Sequence, residues 1–107
     1  MIKECTTIEL KEKLDSNQNI QFIDCRENQE WNEAHISGAT LIPLSEFEAN
    51  YESVLKDKNA QIVIQCRSGA RSMKACMFLL SKGFTDITNV EGGIMSWMQE
   101  GFPVITE

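Results

Sequence analysis

The residues of this chain best suited to chemistry are Cys66-Arg67-Ser68-Gly69-Ala70-Arg71. They follow a short apolar run, Ile62-Val63-Ile64, and precede a helix-like stretch, so Cys66 falls between the carboxyl end of a buried strand and the amino end of a helix. Backbone N–H groups converge at such a place, and the helix dipole favours negative charge. A thiol beside arginines at a helix start ionises with a pKa between about 3.5 and about 7.5, well below that of a free cysteine. Gly69 suits the loop because a ring of inward N–H groups needs φ values that a side chain resists. Cys66 is therefore a candidate nucleophile. Arg67, Ser68, Gly69, Ala70 and Arg71 form the loop that would hold an anion against it.

The elements that must position this loop can be read from short apolar runs alternating with helix-length segments, the pattern of a parallel α/β sheet. Thr6-x-x-Glu9 predicts a capping box opening a helix with Leu10 and Leu14 on one face, ended by Asp15-Ser16-Asn17. Strands are predicted over 20–23, 40–42 (stopped by Pro43), 62–64 as the central strand, and 87–90. Helices are predicted over 27–33, over 45–55 as a broken piece, and over 92–100. After the loop, Met73, Cys76, Met77 and Leu80 fall at i, i+3, i+4 and i+7, an apolar stripe that Gly83 closes. Ligands of such sheets bind at the carboxyl ends of the strands, where both 24–26 and 66–71 are placed.

A chain of 107 residues makes one domain and buries roughly two-thirds of the surface its unfolded form exposes. The longest apolar run is six residues, 75–80, too short for a signal peptide or a membrane span, so a cytoplasmic protein with no membrane partner is expected. Cys5, Cys25, Cys66 and Cys76 contain no Cys-x-x-Cys, and His35 is the single histidine, so neither a disulfide framework nor a zinc site is expected. A net charge of −6 argues against nucleic acid as partner. Against that acidic background Arg67, Arg71 and Lys74 cluster at the one loop proposed to hold an anion.

The loop length separates two chemistries. Cys66 and Arg71 enclose four residues, one fewer than the Cys-x5-Arg loop with which cysteine phosphatases wrap a tetrahedral phosphate, and a tighter ring suits a smaller terminal atom. Upstream stand Asp24-Cys25-Arg26-Glu27, Glu30-Trp31, Ala34-His35-Ile36-Ser37-Gly38-Ala39 and Ile42-Pro43-Leu44. Downstream stand Asn89-Val90-Glu91-Gly92-Gly93-Ile94, Trp97, Gly101 and Pro103. Together these resemble the rhodanese family in order and spacing over 24–103. The resemblance implies one rhodanese-like α/β domain over 1–107, with a central parallel sheet flanked by helices on both faces.

It also implies a sulfurtransferase of the thiosulfate type with no metal or organic cofactor. Cys66 would take the sulfane sulfur of a small anionic donor, thiosulfate or a persulfide, hold it as a persulfide, and pass it to cyanide or a thiol, including a protein thiol such as thioredoxin or another sulfur-carrier protein. Arg67-Ser68-Gly69 does not resemble the Gly-Ser-Gly of mercaptopyruvate enzymes, which tilts the donor towards thiosulfate or a persulfide. Arg67, beside the nucleophile, is assigned to donor recruitment. Arg71 by resemblance braces the loop from the helix side, against a carboxylate such as Asp24. A monomer is expected. Two alternatives are a cysteine-dependent arsenate reductase or phosphatase, which the loop length disfavours, and a non-catalytic interaction module, which the retained cysteine disfavours.

The remaining residues have plainer readings. Asp24 and Arg26 suit an internal ion pair bridging elements better than a catalytic role. His35 suits a structural hydrogen bond, because a thiolate ionised by its surroundings needs no base. Trp31 and Trp97 read as core aromatics, and Gly92-Gly93 as a turn into the last helix. Cys25 stands where the family usually has an aliphatic residue, and Ala34 where a glycine commonly precedes the histidine. If Asp24 and Arg26 face the loop, strand alternation points Cys25 away into the core. The alternative is that Cys25 closes a disulfide with an oxidised Cys66.

Overall fold

Alternation along the middle strands decides which helix packs on which face. In this computed structural model, which describes residues 1–106, the elements run β1 (Ile2–Cys5), α1 (Thr7–Asp15), β2 (Gln21–Asp24), α2 (Asn28–Glu33), β3 (Thr40–Leu41), a 3-10 turn (Leu44–Glu46), α3 (Phe47–Val54), β4 (Gln61–Gln65), α4 (Ala70–Ser81), β5 (Asp86–Val90) and α5 (Gly93–Gln99). Five strands form one sheet in the order β1-β5-β4-β2-β3, with every neighbouring pair parallel. Ile23, Ile62, Ile64 and Ile87 point to one face and pack with Phe47 and Tyr51 of α3 and Ala75, Cys76 and Leu79 of α4. Phe22, Val63 and Val90 point to the other and pack with Leu10 of α1 and Ile94 and Trp97 of α5. Burying each such side chain contributes roughly 1.5–3 kcal/mol, so these two apolar layers are what fix the strand ends that carry the polar loops. The predicted central parallel sheet covered on both faces is present.

The capping box of α1 forms as predicted: Glu9 N–H donates to Thr6 Oγ1 at 3.1 Å and Thr6 N–H to Glu9 Oε1 at 2.8 Å. Two local readings are corrected. The buried stripe of α4 is Ser72, Ala75, Cys76 and Leu79, whereas Met77 is 59% and Leu80 39% exposed. The helix is rotated because Ser72 turns inward to hydrogen-bond within the site, which carries small Ala75 onto the sheet in place of Met77. The second correction is β1, which the sequence reading passed over. It is four residues long with Lys3 and Glu4 at its centre, and it becomes a strand by pairing with β5 from Ile2 opposite Ile87 to Cys5 opposite Val90.

Candidate active site

Parallel register sets the floor of the site. β2 and β4 pair with Asp24 opposite Gln65, and the ladder continues one step as Cys25 N–H donates to the Gln65 carbonyl at 2.9 Å. Cys25 and Cys66 therefore lie side by side at neighbouring strand ends, on the face shared by Ile23 and Ile64, and both are buried in the same layer. This corrects the expectation that Cys25 points away from the loop. Residues paired across parallel strands face the same side, so it is Asp24 and Gln65 that point away from the cysteine face.

The loop closes over the Cys66 sulfur. Gly69 N–H donates to Cys66 Sγ at 3.1 Å, and Gly69 holds φ +110°, in the left-handed region that favours glycine. Of the five loop residues expected to surround the sulfur, Gly69 makes this contact, and Ser72, one residue beyond Arg71, adds its own N–H. The other side of the loop is clamped by α5. Ile94 N–H donates to the Cys66 carbonyl at 2.9 Å and Met95 N–H to the Arg67 carbonyl at 3.0 Å. Such close approach requires a glycine at 93, because a Cβ there would lie 2.3 Å from the Cys66 carbonyl oxygen. From β5, Asn89 Nδ2 donates to the Gly69 carbonyl at 3.3 Å while Asn89 Oδ1 accepts from the Ser72 hydroxyl. Ser72, Asn89 and the tight role of Gly93 were missed by the sequence reading. An asparagine within the last core strand was the one available signal.

These contacts invert the usual effect of burial on a thiol. The Cys66 pKa is lowered to about 4, first by the Cys25 thiol hydrogen-bonding to it, with Ser72 and Gly69 acting in the same direction and burial opposing them. Cys25 is pushed the other way, far up, by that same contact together with its burial, so the pair is a Cys66 thiolate accepting from a Cys25 thiol. Cys5 and Cys76 lack such donors, and burial raises them to about 11 and about 12.

Arg71 braces the loop, but against Glu30 and not Asp24. Its Nη1 and Nη2 meet Glu30 Oε1 and Oε2 at 2.7 and 2.8 Å, a bidentate pair that holds the Glu30 carboxyl down at about 2. Asp24 is already engaged. Its Oδ1 accepts from the Arg26 N–H at 2.9 Å and its Oδ2 from Arg26 Nη2 at 2.8 Å, and both residues are almost fully buried. Arg26 Nη2 also donates to the Ala34 carbonyl at 2.6 Å, which ties the end of β2 to the end of α2. Arg67, Ser68 and Ala70 are exposed, and Arg67 makes no ion pair among the described residues. Arg67 lines a groove of about 710 Å³ together with Arg26, Ile94, Met95 and Met98. Lys74 is exposed on α4.

His35 sits away from the sulfur. Its Nδ1 pairs with the Trp31 carbonyl at 3.0 Å and its ring stacks on Trp31, centroids 3.8 Å apart. Trp31 is thus half-buried against His35 and outside the two core layers, while Trp97 is in the core and donates Nε1–H to the Pro103 carbonyl at 2.8 Å. Among the described residues no group of three or more His, Cys, Asp or Glu is arranged to hold a metal ion.

A doubly covered parallel sheet with a thiolate at the carboxyl end of its central strand, capped by loop N–H groups, defines a cysteine-centred α/β domain. The rhodanese-like domain model matches residues 6–100, and the chain belongs to that family. It is 41% identical to the putative sulfurtransferase YtwF of Bacillus subtilis, covering 95% of this chain and 96% of that protein. It is 30% identical to a sulfurtransferase of Allochromatium vinosum over 98% of this chain and 96% of that one. The crystal structure of a rhodanese-like domain protein from Staphylococcus aureus superimposes with a TM-score of 0.85 at 36% identity, covering 98% of each chain.

Proposed function

We propose that the protein is a sulfurtransferase that carries a sulfane sulfur on Cys66. The observation that carries this reading is the buried Cys66 sulfur at the carboxyl end of β4 with the Gly69 N–H donating to it at 3.1 Å, an environment that lowers its pKa. The Cys66 thiolate attacks the outer sulfur of thiosulfate; the S–S bond to the sulfonate sulfur breaks and sulfite leaves with the electron pair. The terminal sulfur of the resulting persulfide anion takes up the donor N–H groups of the loop, which act on it as an oxyanion hole acts on oxygen. Cyanide or a thiolate then attacks that terminal sulfur and Cys66 leaves as thiolate, so the enzyme is regenerated with no general base. A protein thiol such as thioredoxin or another sulfur carrier is an acceptor of the right chemistry. Relatives named for sulfur transfer support the class of reaction. Arg67, exposed at the groove and in no ion pair among the described residues, draws the anionic donor in. The reducing cytoplasm suits four unpaired cysteines.

The four-residue spacing between Cys66 and Arg71 fits one sulfur, whereas a phosphoryl group presents three oxygens that each need donors. Intact mass spectrometry after thiosulfate should show one added sulfur, removed by cyanide, and Cys66→Ser should show none. An unloaded wild type that hydrolyses an aryl phosphate would replace this reading with the phosphatase one.

A further inference from the structure

The neighbour of Cys66 at the end of β2 has a chemistry that sulfur transfer does not use. We propose that Cys25 is a resolving cysteine: when a hydroperoxide oxidises Cys66, Cys25 condenses with it to a Cys25–Cys66 disulfide that a dithiol reopens. The reaction needs only the Cys66 thiolate and stands whether or not that thiolate also carries sulfur.

Position makes the disulfide accessible without unfolding. Neighbouring strands lie about 4.8 Å apart, inside the window of about 4.4–6.8 Å that disulfides span between Cα atoms. The register places Cys25 one step beyond Asp24 and Cys66 one step beyond Gln65, and the Cys25 N–H bond to the Gln65 carbonyl shows that the ladder has not yet splayed there. Both side chains face the layer under α3 and α4, at 0% and 1% exposure. The Cys25 thiol is also the first cause of the lowered Cys66 pKa. Cys76 lies in the same layer but on α4, whereas Cys25 is set beside Cys66 by the hydrogen-bonded ladder of β2 and β4, so Cys25 is the partner the register selects.

The chemistry closes on itself. The Cys66 thiolate attacks one peroxide oxygen and the O–O bond breaks; sulfur is oxidised to the sulfenic acid and the alkoxide or hydroxide that leaves takes a proton from water. Cys25 sulfur then attacks Cys66 Sγ, and the sulfenic hydroxide departs with the Cys25 proton as water. A dithiol returns both residues to thiols by exchange, itself becoming a disulfide. Burial strengthens the case for resolution over further oxidation. Cys25 stands at the neighbouring strand end in the same buried layer, whereas a second peroxide must diffuse in to form the irreversible sulfinic acid.

The test treats the reduced protein with stoichiometric hydrogen peroxide and follows intact mass and tryptic peptides. Arg26, Arg67, Lys74 and Lys82 place Cys25, Cys66 and Cys76 on separate peptides. The wild type should lose the mass of two hydrogens, yield the Cys25 and Cys66 peptides linked, and recover full iodoacetamide labelling of Cys66 after dithiothreitol. Cys25→Val should instead hold one oxygen on Cys66 as a sulfenic acid that dimedone traps, and a second and third equivalent of peroxide should carry it to sulfinic acid, whose labelling dithiothreitol does not restore. Cys25→Ser, smaller and closer in shape, serves the same comparison if the valine variant does not fold. Oxygen adducts on wild-type Cys66 without the link, or a link from Cys66 to Cys76, would overturn the proposal.

Discussion

Cys66 and Cys76 share one packed layer and are almost equally buried, at 1% and 0% exposure, yet their thiols are driven in opposite directions. Cys66 falls to about 4 and Cys76 rises to about 12. Burial by itself disfavours the charged form of a thiol, and Cys76 shows that effect with nothing to oppose it. Cys66 feels the same burial but receives hydrogen bonds from Cys25, Ser72 and Gly69, and these outweigh it. The sign is therefore set by how many donors the fold aims at the sulfur, and two separate chain segments, the end of β2 and the 69–72 turn into α4, supply them. Reactivity in this protein is a property of the loop's closure and not of cysteine exposure.

The largest expected effect is in the labelling of the two thiols. Between pH 6 and 8, iodoacetamide should modify Cys66 in the folded protein and leave Cys76 untouched until denaturant is added. The Cys66 rate should stay level across neutral pH and fall only as pH drops towards about 4. The linked stability has matching signs. Since Cys66 is lowered on folding, its contribution is fully present above the ordinary thiol range and is lost as pH falls towards about 4. Cys76 is raised, so its contribution is fully present below that range and is lost as pH rises towards about 12. A Cys66 rate that climbs steadily up to pH 9, as for a free thiol, would erase the contrast.

Next in size is Gly93→Ala, which should attack the Cys66 side of the comparison alone. The added Cβ meets the Cys66 carbonyl at 2.3 Å on a residue with φ +55°, so the α5 clamp must loosen. Overpacking and the left-handed backbone together should cost about 3 kcal/mol in urea unfolding. The labelling midpoint of Cys66 should move upward as Gly69 is drawn off the sulfur, with Cys76 unchanged. Unaltered stability and an unaltered Cys66 profile would mean that α5 does not position the loop.

The smallest effect sharpens the roles of the two loop arginines. Arg71→Ala breaks a pair whose side chains are 33% and 28% exposed, so solvent screening holds its stability loss to about 1 kcal/mol by urea unfolding. Arg67→Ala should leave stability within about 0.5 kcal/mol of wild type and raise KM for thiosulfate with kcat little changed, as when a uniform binding contact is lost. Equal stability losses in both variants would contradict this division.

Much of the architecture could be read locally because its causes are local. The Thr6 and Glu9 box sets the start of α1 from residues three apart, and the apolar run ending at Cys66 marks the central strand and its loop from adjacent residues. The ion pair of Asp24 and Arg26 closes within two residues of chain. The parts that escaped are those whose cause lies far along the chain. Glu30 and Arg71 are 41 residues apart, and nothing near Arg71 distinguishes Glu30 from Asp24 as its partner. Met77 fits an apolar helix stripe as well as Ala75 does, until Ser72 is drawn inward by Asn89, 17 residues away.

The amino-acid sequence by itself determined the layered parallel sheet, the placing of a cysteine at a strand end before a helix, and the need for glycine at 69. Each follows from spacing, propensity or backbone freedom within a few residues. Tertiary structure alone decided that Cys25 stands beside Cys66, because that depends on the register between β2 and β4. It alone also decided that Gly93 must lack a side chain, because α5 packs on the Cys66 and Arg67 carbonyls across 26 residues of intervening chain. Periodicity along one segment says which way its side chains alternate, but the depth of that alternation against a neighbour is set only when two distant segments share hydrogen bonds.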